Sequence, residues 1–197
     1  MINLFNKKDA EAFVKKHSIL PEALALRVYT SRLIGANSDL VLHGGGNTSV
    51  KLTSKNILGE EKNIIFIKGS GMDLSTIGQD GFVGLNMEPL RKLRNIKDLA
   101  DEEMLNQLRI QRIDASATDP SVEALLHIFL PHTYIDHTHA DSILILTNQK
   151  NGKCIVKEAL GDKVLVISYI MSGLPLAKAM INSYFHLLYI SEIFMMN

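Results

Sequence analysis

A chain of 197 residues, 46% hydrophobic and 21% charged, has the length and composition of one domain with a real hydrophobic core. Its 21 basic residues balance its 21 acidic ones, so no net field draws it to nucleic acid or to an anionic membrane surface. The single cysteine, Cys154, excludes an internal disulfide, MINLFNKKDAEAF turns charged too early for a secretory leader, and no apolar run reaches the roughly 18 residues of a membrane span; a cytoplasmic protein is expected.

In chain order, PEALALRVYTSRLIGAN has apolar residues at helical spacing, with Pro21 suited to a first turn. In LVLHGGGNTSVKLTS, Leu40–Leu42 and Ser49–Thr53 read as short strands joined by three glycines. NIIFIKGSGMDLS reads as a strand entering a second glycine loop, and GFVGLNMEPLRKLRNIK as a strand followed by a basic helix. DEEMLNQLRIQRID predicts a charged surface helix. TDPSVEALLHIFLPH predicts a helix capped by Asp119, with Pro120 in its first turn and Pro131 after its end. YIDHTHADSILILT has a strand pattern, KCIVKEAL a helical one, KVLVIS a strand pattern, and LPLAKAMINSYFHLLYISEIF reads as a final helix or a helix running into a strand, with apolar residues on most faces. Strands and helices mix without a clean βαβ repeat, which points to a layered α/β domain.

Three kinds of residue carry candidate chemistry. His137 and His139, two apart on a strand, project from one face with Cα atoms roughly 7 Å apart, so both rings can reach one ion. Alone, an HxH pair reads first as two partly buried, hydrogen-bonded structural histidines. Glu123 and His127, four apart, share a helical face immediately upstream. A carboxylate beside metal-bound histidines suits proton transfer or a further ligand, while His127 fits a structural or ligand-orienting place. GGGNTS can expose backbone N–H groups, with Asn47, Thr48 and Ser49 adding side-chain donors; KGSG, from Lys68 to Gly71, offers more of the same with a cation, and Ser121 falls in the first turn of its expected helix. Together these elements could cradle a phosphate. Neither loop is a Walker A or Rossmann fingerprint.

The ordered set GGGNTS, IKGSG, DPSVE and DHTHA resembles the class II aldolase/adducin family, from about Ala23 to about Ala179. The resemblance implies a layered α/β/α fold around a mostly antiparallel sheet. It implies Zn2+ (or another divalent ion) on His137 and His139, with Glu123 a possible ligand of the empty metal site and the proton shuttle in catalysis. It implies phosphate binding by Gly46, Asn47, Ser70, Gly71 and Ser121. The implied partner is a small-molecule sugar phosphate, cleaved in a retro-aldol reaction; for the bifunctional type that the wording resembles most, this is L-rhamnulose 1-phosphate, giving dihydroxyacetone phosphate and lactaldehyde. A homo-oligomer is implied as well.

The sequence departs from the pattern at two places. Ser121 is followed by Val122 where many small aldolases have a second serine, which removes one phosphate donor. No His-Gly pair follows His139, so the segment that carries the family's third zinc histidine has no match; His186, in NSYFHLLYIS, is the remaining candidate. At this stage residues 1–197 read as one C-terminally incomplete domain of the longer type, with no dehydrogenase domain. Besides an aldolase, the same residues allow a pentulose-phosphate 4-epimerase or a non-catalytic remnant or interaction module.

Overall fold

The computed structural model describes residues 3–195, with the side chains of the last helix described as far as Phe185. The elements are α1 (Lys7–Lys16), α2 (Glu22–Gly35), β1 (Asn47–Lys55), β2 (Glu61–Lys68), β3 (Phe82–Asn86), α3 (Met87–Lys92), α4 (Asp101–Ile110), α5 (Ala124–Phe129), β4 (Tyr134–His137), α6 (Asp141–Thr147), α7 (Gly152–Leu160) and α8 (Leu174–Met195). The strands form one sheet in the order β3-β2-β1-β4. Every neighbouring pair is antiparallel, as expected of the fold class.

Register decides which residues share a face. Ser49 lies opposite Ile67 on one side and Ile135 on the other, and Ile67 lies opposite Val83. Asn47, Ser49, Lys51, Ile65, Ile67, Val83, Leu85, Ile135 and His137 therefore project from one face. Thr48, Val50, Phe66, Phe82 and Asp136 project from the other. The first face carries the larger core, where Ile65, Ile67, Val83 and Leu85 pack with Leu90, Leu108, Leu125, Ile128, Leu174 and Ile181 from α3, α4, α5 and α8. The second face packs Val50 and Phe82 against Leu24 and Val28 of α2, with Val41, Leu74 and Ile77. The sheet is thus sandwiched between helical layers.

Several expectations are corrected. Leu40 ends a turn and Val41 and Leu42 are irregular, with the Leu40 and Val41 N–H groups both donating to Asn37 O at 3.0 and 3.2 Å. The helix after DPSV begins at Ala124, because Pro120 forms an antiparallel bridge with Gly69 and Asp119 is held in ion pairs with Arg109 and Arg112 instead of capping. DSILILT is helical, and β4 stops at His137. Residues 164–168 form neither helix nor strand and lie outside the sheet. α4 is amphipathic: its charged face meets solvent, while Met104 and Leu108 are buried in the larger core. In α8, Leu174, Ala177 and Ile181 form a covered stripe at helical spacing.

Candidate active site

β1 enters the sheet straight from the glycine loop, and its first three residues, Asn47, Thr48 and Ser49, are fully buried. Buried polar groups need partners, and alternation along the strand sends these three to different ones. Asn47 Nδ2 donates to Ser121 Oγ at 2.5 Å and reaches Glu123 Oε2 at 3.4 Å. Thr48 Oγ1 meets Ser31 Oγ of α2 at 2.8 Å, on the opposite face. Ser49 Oγ meets His127 Nδ1 at 2.8 Å. Thr48 and Ser49 are therefore internal ties, which corrects their reading as donors to a phosphate. Asn47 Oδ1 and His127 Nε2 are buried with no hydrogen-bond partner among the described residues.

Glu123 stands at the start of α5 and its Oε2 lies 2.8 Å from His137 Nδ1 at the end of β4. Burial raises the Glu123 carboxyl, but the His137 hydrogen bond, helped by Asn47, more than offsets it and leaves the group below its ordinary value. His127 is completely buried, and that burial pushes its imidazole down to about 3, so it is neutral. His139 follows the strand, and its N–H donates to Leu40 O at 2.8 Å. Although His139 lies outside β4, its ring sits beside that of His137, with centroids 4.8 Å apart.

The glycine loop closes over the histidines. Gly46 has φ +69°, and a side chain there would lie 2.5 Å from Val41 Cγ1 and 2.9 Å from His137 O. A Cβ on Gly45 would lie 3.6 Å from His139 Nδ1, and one on Gly44 would lie 3.4 Å from Gly71 O. The two glycine loops are thus in contact, and buried Lys68 joins them: its ammonium donates to Gly44 O and Met72 O, both at 2.9 Å. Burial lowers the Lys68 ammonium, against the pull of Glu123 and Asp73. At least two of its three donors serve this tie, a use that the sequence did not reveal. The second loop is pinned in turn to the DPS segment, since Ser70 N–H donates to Asp119 O at 2.8 Å. Ser70 and Gly71 face solvent.

All the expected residues, Gly46, Asn47, Ser70, Gly71, Ser121, Glu123, His137 and His139, therefore belong to one connected set of loops and strand ends. Ser121 lies ahead of α5, and its oxygen accepts from Asn47 and from the Glu123 N–H at 3.2 Å, so its hydroxyl proton remains available to donate. A cavity of about 540 Å3 opens next to Glu123, His127 and His137, walled by Leu126, Leu130, Leu165, Ile167, Leu176 and Met180. Sequence reasoning missed Arg27 and Asp136; an arginine on the apolar side of α2 was the only hint.

Two imidazoles and a carboxylate are the donor chemistry of zinc, and the three side chains are neighbours. As they stand, His137 Nδ1 is engaged by Glu123, and among the described residues no group of three metal-binding side chains is arranged around one point. The residues fit the ion in kind, with Glu123 and His137 bonded to each other. The His186 side chain lies outside the described residues.

Layered helices on an antiparallel sheet, with glycine loops and an HxH segment gathered at one end, define an aldolase-type domain. Residues 25–191 match the family described as Class II Aldolase and Adducin N-terminal domain, and the chain belongs to that family. The N-terminal class II aldolase domain of a conserved protein from Thermoplasma acidophilum is 42% identical with a TM-score of 0.74, over 79% of this chain and 72% of that one. A curated relative from Bacillus subtilis (strain 168), titled uncharacterized oxidoreductase YuxG, is 39% identical over 159 residues, 81% of this chain and 23% of its own length. The chain thus spans about a quarter of that relative. No helix among the described residues is long and apolar enough to cross a membrane.

Proposed function

We propose that this chain supplies the site of a divalent-metal-dependent retro-aldol cleavage of a ketose 1-phosphate, with L-rhamnulose 1-phosphate as the substrate. The observation that carries the reading is the Glu123–His137 hydrogen bond of 2.8 Å beside His139, at the meeting point of two glycine loops. His137 and His139 would hold the ion, Zn2+ or another divalent metal, with Glu123 as a further ligand when substrate is absent. When bound, such an ion supplies Lewis acidity for the electron pair released as the C3–C4 bond breaks.

The remaining roles fall to the chain's own groups. The substrate phosphate sits among the backbone N–H groups of Gly46 and Gly71 and the side chains of Asn47, Ser70 and Ser121, with the Ser121 hydroxyl free to donate. Glu123 is held ionised at neutral pH, so in cleavage it takes the C4 hydroxyl proton as the aldehyde forms and delivers that proton to C3, and in condensation it carries a proton from C3 to the C4 oxygen. The apolar wall of Leu126, Leu130, Leu165 and Ile167 suits the methyl-bearing end of a deoxy sugar.

The test is product analysis with candidate ketose 1-phosphates and added zinc. Dihydroxyacetone phosphate and an aldehyde should accumulate, and Glu123→Gln should lower kcat by about 10²–10⁴-fold while substrate still binds. An epimerised pentulose phosphate without cleavage products would replace the aldolase reading with an epimerase. No turnover of any kind would remove the enzyme reading for this chain.

A further inference from the structure

Strand β4 presents His137 to the larger core and, one residue earlier, Asp136 to the opposite face, where α2 packs. The Asp136 carboxylate, half exposed, accepts from Arg27 Nη1 at 2.7 Å, and that guanidinium is almost completely buried. Arg27 Nε donates to Ser31 Oγ at 3.2 Å, and its guanidinium lies 5.8 Å from the centre of the Tyr134 ring. Ser31 meets Thr48 of β1 at 2.8 Å. One arginine therefore binds both outward-facing residues of the β4 strand, Tyr134 and Asp136, and connects through Ser31 to the neighbouring strand.

A buried guanidinium is costly to keep unless its charge is met. α2 could have filled this position with an apolar residue, since Leu24 and Val28 beside it belong to the core. The short strand gives the reason for a charge. β4 has four residues and pairs only with β1 within the sheet, so backbone pairing alone fixes it weakly, and a slip of one residue would turn His137 away from Glu123. Asp136 and His137 are consecutive, so holding one carboxylate sets the direction of the next side chain.

We infer that Arg27 is a positioning residue: acting through Asp136, it fixes β4 so that the His137 ring meets Glu123 and His139. This deepens the metal-site reading above, and part of its test is independent of that reading.

The experiment uses the whole chain with Arg27→Met, Arg27→Lys, Asp136→Asn and the double variant Arg27→Met/Asp136→Asn, and with Arg91→Ala, which breaks an exposed ion pair, as the control. In the metal-free protein, nitrogen-15 NMR reads the His137 ring nitrogens. The hydrogen-bonded Nδ1 signal of the wild type should be lost in Arg27→Met and Asp136→Asn, and partly restored in Arg27→Lys. Zinc affinity, measured by competition with a chromophoric chelator, should fall about tenfold in each single variant and no further in the double variant. Arg91→Ala should change neither. Thermal unfolding of every variant shows that it is folded. An unchanged His137 signal in folded Arg27→Met overturns the inference, as does an effect of Arg27→Met that persists in full when Asp136 is already Asn. If the wild type holds no zinc, the metal reading fails while the NMR comparison still decides the role of Arg27.

Discussion

Gly46 and His127 show that single residues here answer to the site as well as to the fold. Gly46 needs φ +69°, and a methyl group would press on Val41 Cγ1 and on the carbonyl of His137. Left-handed backbone costs an L residue about 1–2 kcal/mol, and the contacts add to that. Gly46→Ala should therefore destabilise the chain by at least about 1–2 kcal/mol in urea unfolding. His127 carries a pH signature. Its folded value, pushed by burial to about 3, lies below its ordinary value of 6.5. Below pH 6.5 the unfolded chain takes up a proton that the folded chain refuses, so the stability owed to neutral His127 is complete above pH 6.5 and falls as pH drops toward about 3. The slope is about 1.4 kcal/mol per pH unit at its steepest. Between pH 6.5 and 5, urea unfolding of wild type should show a loss from this source that His127→Gln lacks. The sequence made Glu123, His127 and the glycines visible as candidates, because those residue types are few and closely grouped. It hid what Lys68 and Arg27 do, since nothing local marks which carbonyl or carboxylate a long cationic side chain will meet.

At the scale of elements, apolar spacing and apolar runs identified α2, β2, β3, α7 and α8. It failed where tertiary contacts override local preference. Asp119 and Pro120 look like a helix start, but Arg109 takes the carboxylate and Gly69 takes the backbone. SILILT and KVLVIS are short apolar runs that fit strand or helix equally well; the first became α6, with Ile143, Leu144 and Ile145 exposed, and the second stayed outside the sheet. α4 is the instructive case. Its charge suggested a surface helix, yet Leu108 is fully buried among sheet and helix residues of the larger core. Leu108→Ala should cost about 2–5 kcal/mol in urea unfolding, and a cost below 1 kcal/mol would mean that α4 is not part of that core.

In the whole molecule, the sheet separates two jobs. One face packs β1 on α2 and holds the Arg27–Asp136 pair; the other carries Asn47, Ser49 and His137 toward Glu123 and His127. The glycine loops close the end where both faces stop. The fold class was legible because layered packing follows from mixed amphipathic helices and alternating strands. The meeting of the loops with DHTHA was legible only through the ordered family motifs, since spacing along the chain does not say that Gly45 lies against His139. The account rests on His137 and His139 receiving a metal ion beside Glu123. The direct measurement is zinc retained per chain after dialysis, for wild type, His137→Ala and His139→Ala, each confirmed folded. Wild type should retain close to one equivalent and both variants far less. Equal zinc in all three, or none in the wild type, would contradict the account.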